Sequence, residues 1–252
     1  PPDDLFASVR ALGSLGPENT IVQVNHPRDS ILGYFDQYDL DPLTAALPEP
    51  PDCAVPLSNA AGCIIPPNGP AFRTAEGLST FSYDFDAIEV MNASVVGLIH
   101  HARMPASLEG LNIPDELRNN PPEPGAILCD GDNLAHAGVA DDWFNLLNLG
   151  HRHIGTGTSD SHDADDHPGA GRTFVYVGHD DPGRVTPKDV VAGLKSRRAI
   201  MTTGPFVDFT INDAHIGESI SAPSGDVTIK INVQAASWVD VDEGIIWMNG
   251  QV

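Results

Sequence analysis

The sequence predicts an α/β domain over residues 1–203, followed by a small antiparallel β unit over 204–252. Two observations carry this reading. Short apolar runs at 21–24, 86–92 and 173–177 are interleaved with helix signatures at 3–12, 141–149 and 186–196, an order typical of parallel sheets with helical connections. From Gly204 onward the helix signatures stop. The segments 206–211, 227–233 and 245–248 then alternate or run apolar between Gly and Pro turns, as antiparallel strands do.

Each element has its own local argument. Residues 3–12 begin with Asp3 and Asp4, acids that suit the positive end of a helix, and stop near Gly13. The run 21–24 reads as a short buried strand. Asn25, His26 and Pro27 follow it at once, and Pro27 biases His26 toward an extended conformation. Residues 40–80 and 93–130 are rich in Pro with little periodicity, the texture of lids, insertions or substrate-binding loops. Residues 141–149 start with two acids and end at Gly150, which predicts a helix. Residues 186–196 open with Thr186 and Pro187, an N-cap followed by a first-turn proline.

Composition narrows the function classes. Hydrophobic residues make up 41% of the 252, which excludes wholesale disorder, and no apolar run approaches membrane-spanning length. The formal charge is -22, with Lys188, Lys195 and Lys230 the only lysines. That balance disfavours nucleic-acid binding through phosphates and fits either a saline source or simple solubility. No signal peptide is visible, and the location stays unknown, a soluble protein with the periplasm or secretion as the options. Cys53, Cys63 and Cys129 form neither a disulfide framework nor a thiolate metal set. Cys53 and Cys63 flank a Pro-containing loop and would be able to pair only in an oxidising compartment.

The chemistry-bearing residues lie at strand ends. The run at 155–162 holds Asp160 and His162, which on an extended backbone point the same way and present a carboxylate and an imidazole to one point. That is a chelate for a divalent ion such as zinc or manganese, or else a solvated polar loop. His26 leaves an apolar strand where α/β proteins place ligands; the alternative is a core histidine bonded to a carbonyl. Glu89 sits inside an apolar run, so burial requires a partner, either at a site or in a pair with Arg172. Arg172 suits an anion clamp equally well. His100, His101 and His136 are further candidates, whereas the arrangement at His151 and His153 follows a helix. No G-x-S-x-G is present, and neither Ser159 nor Ser161 has a nucleophile motif around it.

In order along the chain, NHPR and GYF, FDAIEVMN, DWFNLLNLG, GTGTSDSH, GAGRTFVYV and TTGPF resemble the PHP (polymerase and histidinol phosphatase) superfamily, and within it the branch that includes carbaryl hydrolases. The resemblance spans residues 20–210. It implies a seven-stranded β/α barrel with divalent ions (zinc, manganese or iron) at the carboxyl ends of its strands, followed by a β-sandwich. His26, Asp160 and His162 match metal ligands, Glu89 matches a strand-end position of variable role, and Arg172 is the candidate anion clamp. The family opens with a strand ending in His-x-His, which the sequence lacks before His26, so the resemblance implies a barrel without its first strands and a β unit cut short. The implied activity is metal-assisted hydrolysis of a small phosphoester or of a carboxyl or carbamate ester. The alternative is a binding or structural module that has lost the first ligand set. An open edge in the terminal β unit implies a homodimer formed through it.

Overall fold

The computed structural model describes residues 1–28, 33–48, 75–92, 138–164 and 168–249. The expectations for Cys53, Cys63, Cys129, His100, His101 and His136, and for most of the two Pro-rich stretches, lie outside these residues. The first helix, α1 (Pro2–Leu12), has Asp3 and Asp4 in its first turn and Arg10 in its last, charges that suit the helix dipole at each end. It buries Phe6, which meets Tyr34 and Phe85 edge to face with centroids 5.8 and 6.2 Å away. Arg10 reaches from the same helix to Asp84 at 2.8 Å and Asp86 at 3.2 Å, and Asp86 in turn accepts from the amide of Val22.

Three parallel strands form the centre: β1 (Gln23–Val24), β2 (Ala87–Asn92) and β3 (Ile154–Thr158), in the spatial order β1-β2-β3. Ala87 to Met91 are buried without alternation, as in a parallel strand covered on both faces. Two short helices, α2 (Tyr34–Gln37) and α3 (Ala75–Leu78), flank an aromatic cluster in which Tyr34 stacks on Phe81 at 5.1 Å. Helix α4 (Val139–Asn148) covers β3. A Cβ on Gly155 would lie 3.0 Å from the Trp143 ring, so glycine there lets the indole rest directly on the strand. Trp143 Nε1 donates to the carbonyl of His153 at 3.0 Å and locks that contact.

Beside β3 the chain departs from the expected barrel. The strand β4 (Arg172–Val175) pairs antiparallel with β5 (Ala199–Thr202), with α5 (Pro187–Lys195) between them in sequence. Gly157 is bonded at both its amide and its carbonyl by the hydroxyl of Thr173, at 3.0 and 2.9 Å. A side chain thus takes the place of a fourth parallel ladder, and the sheet closes off at β3. Among the described residues there are a three-stranded parallel sheet, a two-stranded and a three-stranded antiparallel sheet, and no seven-stranded barrel. The fold class implied by the resemblance is corrected accordingly to a mixed α/β architecture of small sheets.

Helix α5 starts as its sequence predicts, with Thr186 and Asp189 satisfying each other's backbone amides in a capping box. The third sheet has the order β7-β6-β8, formed by β6 (Phe206–Ile211), β7 (Ala214–His215) and β8 (Ile229–Gln234). The strand expected at 245–248 is absent apart from an isolated bridge at Met248. Pairing Val207 with Val233, Phe209 with Ile231 and Ile211 with Ile229 places six apolar residues on one side of this sheet. No helix among the described residues is long and apolar enough to cross a membrane.

Candidate functional site

The carboxyl ends of β1, β2 and β3 bring polar groups together around Glu89, which is only 4% exposed. Its Oε2 accepts the backbone amide of His26 at 2.5 Å and Asn92 Nδ2 at 3.2 Å; its Oε1 accepts the hydroxyl of Thr158. Asn92 Nδ2 also donates to Asp160 Oδ2 at 3.1 Å. One amide group therefore bridges two carboxylates, one on β2 and one in the loop after β3, and no Lys or Arg among the described residues bonds to either. Burial of a carboxylate without a cation is sustained here by three donors, which offset the lost hydration.

A register shift makes the bridge possible. Glu89 faces Thr156 and Met91 faces Gly157, so Val90 is an extra residue on β2. In a regular strand, residues 89 and 92 would point to opposite sides. The bulge restores them to one side, a use of bulges common beside sites. Asn92 acquires its role in this way, although strand alternation alone separates it from Glu89.

Beyond β3 the loop does not continue extended. Asp160 has φ 49°, in the left-handed region, so the chain curls and His162 folds back over it. The expected convergence of residues 160 and 162 by strand alternation is replaced by a tight turn. His162 Nδ1 lies 2.5 Å from the carbonyl of Asp160, which accepts only, so Nδ1 carries the proton. Nε2 lies 3.5 Å from Asp160 Oδ1. His162 is largely exposed, with 72% of its side chain open, whereas Asp160 is 19% exposed.

His26 enters the cluster through its backbone. Its φ of 30° turns the amide onto Glu89, and its ring Nδ1 is buried without a hydrogen-bond partner. Arg172 lies elsewhere. Thr173 points at β3, so alternation directs Arg172 to the other face of β4, where it is exposed and makes no ion pair with Glu89. The residues brought together are thus Glu89, Asp160 and His162, with His26 at their edge and Asn92 and Thr158 joining them. The latter two carry no motif; the one signal for Asn92 is a polar amide closing an apolar strand.

The electrostatic anchor beneath this edge is buried. Arg28 Nε and Nη2 donate to Asp142 at 2.7 and 2.5 Å, and Nη1 reaches Asp36 at 3.2 Å. Burial pushes the Asp142 carboxyl up to about 6, with Arg28 opposing that rise. Burial by itself lowers the Arg28 guanidinium, but Asp142 and then Asp36 more than reverse this and leave it raised. The cross-link ties the segment after His26 to α4.

Two donors, Asp160 Oδ1 and His162 Nε2, fit a shared divalent ion, because ligands about 2.1 Å from a tetrahedral zinc lie roughly 3.4 Å apart. A carbonyl on the far nitrogen of the imidazole is the usual orienting partner of a metal-binding histidine. Among the described residues no group of three or more His, Cys, Asp or Glu side chains converges for a metal as the side chains stand. Comparison with protein-family models, with curated proteins and with solved structures finds no match to this chain.

Proposed function

We propose that this strand-end cluster is a divalent-cation site serving hydrolysis of a phosphoester, or of a carboxyl or carbamate ester, as the resemblance to the PHP superfamily implies. The observation that carries the reading is the approach of His162 Nε2 to Asp160 Oδ1 at 3.5 Å, with Nδ1 turned to the Asp160 carbonyl. A divalent cation shared by the carboxylate and the imidazole nitrogen suits that spacing. Asp160 and His162 would hold a zinc, manganese or iron ion, with His26 Nδ1 a further donor atom that lacks a protein partner. A bound ion supplies Lewis acidity and an activated water at neutral pH. Asn92 holds the Asp160 carboxylate in place, and Glu89 keeps Asn92 and Thr158 oriented. Arg172, exposed on β4, has no partner in the cluster, so binding of an anionic substrate there would have to come from the ion.

The test measures metal content, and turnover of a phosphoester and an ester panel, for the wild type and His162→Ala. We expect bound metal in the wild type and a loss of at least tenfold in metal affinity and turnover in the variant. Metal-free protein that takes up no added ion, or activity indifferent to the substitution, overturns the reading. A second reading, a binding module with an incomplete ligand set, is favoured by the absence of a convergent three-donor group among the described residues. It predicts ion binding without turnover.

The terminal sheet supports self-association. Ile229, Ile231 and Val233 on edge strand β8 are 38%, 46% and 40% exposed and share one face. A second copy pairing with β8 gives twice the chain mass in light scattering, and Ile231→Lys returns it to a monomer. A monomer at high concentration argues against this interface.

A further inference from the structure

A second site lies away from the strand-end cluster, in a cleft of about 270 Å³ between the β4–β5 pair and β6. We propose that it binds a small organic cation of the quaternary-ammonium class. Phe174, Tyr176, Phe206 and Phe209 line the cleft, and the first three are 36%, 57% and 45% exposed. Phe174 and Tyr176 share one face of the β4 segment by alternation, and Phe206 approaches Phe174 with ring centroids 5.8 Å apart at 60°. Three partly exposed rings thus border one concavity.

The charges choose among ligands. The protein's own guanidinium, Arg198, sits 4.6 Å from the centroid of Tyr176 and is neutralised by Glu218 at 2.7 Å. That is a cation–π contact within the cleft. Asp180 and Asp208 also line the cleft, and no hydrogen bond or ion pair engages either side chain among the described residues. Asp208 stands two residues after Phe206 on β6, hence on the same face. With Arg198 matched by Glu218, the lining keeps the carboxylates of Asp180 and Asp208, alongside the imidazoles of His179 and His215. An anion would meet these charges, a neutral apolar guest would leave them unused, and a cation with methyl groups satisfies both rings and carboxylates.

The test titrates the full chain with choline, with its neutral isostere 3,3-dimethylbutan-1-ol and with benzoate, following amide resonances of residues 174–176 and 206–208. Choline is expected to shift them with an affinity about fivefold or more above that of the neutral isostere, and to weaken as salt rises. Phe206→Leu and Asp208→Asn are each expected to lower choline affinity about threefold, with circular dichroism unchanged because both positions are exposed. Equal response to choline and the neutral isostere, preference for benzoate, no response to choline, or variants that bind as the wild type does would each overturn the proposal.

Discussion

Asp142→Ala is expected to destabilise the fold by about 3–5 kcal/mol, read from the denaturant midpoint at unchanged slope. Asp142 is fully buried in α4 and Arg28 is 7% exposed, so the pair sits where water cannot replace a lost partner. Among the described residues, truncation leaves the guanidinium with one carboxylate, Asp36, at 3.2 Å through a different nitrogen. The penalty is therefore that of an undercompensated buried charge, which exceeds the net worth of the pair itself. A matched double substitution, Arg28→Met with Asp142→Leu, is expected to recover more than half of the loss, because neither charge then needs solvating. A cost below about 1 kcal/mol for Asp142→Ala shows that water reaches the guanidinium and refutes the argument.

The second large effect is acid sensitivity carried by His153. Its ring stacks on Phe85 at 4.0 Å, and its Nε2 is buried without a partner. Burial lowers this histidine from its ordinary value to about 4, against the opposing bond to the backbone of Phe85. The sign follows from proton counting. Between about pH 6.5 and 4 the unfolded chain binds a proton that the folded chain refuses, so stability is complete above 6.5 and falls as the pH drops through that window. Allowing for partial solvent screening, the loss amounts to about 1–3 kcal/mol. His153→Phe keeps the stack on Phe85 and removes the titration. Its stability is expected to stay flatter than that of the wild type between pH 6.5 and 4 in parallel denaturant curves. Identical pH profiles would show that His153 titrates normally.

Both effects involve residues whose sequence signals pointed elsewhere. Asp142 reads as one of two acids at a helix start, and Arg28 as the end of an Asn-His-Pro-Arg turn; 114 residues separate them. Helix-terminal acids are common and seldom buried, so only the docking of α4 against the turn after β1 reveals the ion pair. His153 belongs to the His-x-His that its position after a helix set aside as a ligand. In the structure the position is right for packing, with His151 stacked on Tyr83 and His153 on Phe85.

The candidate site was legible in its parts. Asp160, His162 and Glu89 are found at strand ends because apolar runs followed by Gly, Pro or Asp carry a strong local signal. How they meet was not legible. Alternation predicts that residues 160 and 162 point together, yet the positive φ at Asp160 folds His162 back instead. Alternation also separates Glu89 from Asn92, and the extra residue Val90 reunites them. Arg172 was placed near the site by its closeness in sequence to His162, but the hydroxyl of Thr173 facing Gly157 sends it to the opposite face.

By itself the sequence determined the helices at α1, α4 and α5, the strands at β2, β4, β6 and β8, and the strand-end location of Glu89, Asp160 and His162. These follow from charge at helix ends, capping residues and apolar periodicity, all of which act within a few residues. The tertiary structure alone decided that the parallel sheet stops at three strands, that two carboxylates share one amide, and that aromatic rings line a cleft beside β6. Those outcomes depend on register, on bulges and on which hydroxyl meets which backbone group, and such contacts form between segments that local propensity does not connect.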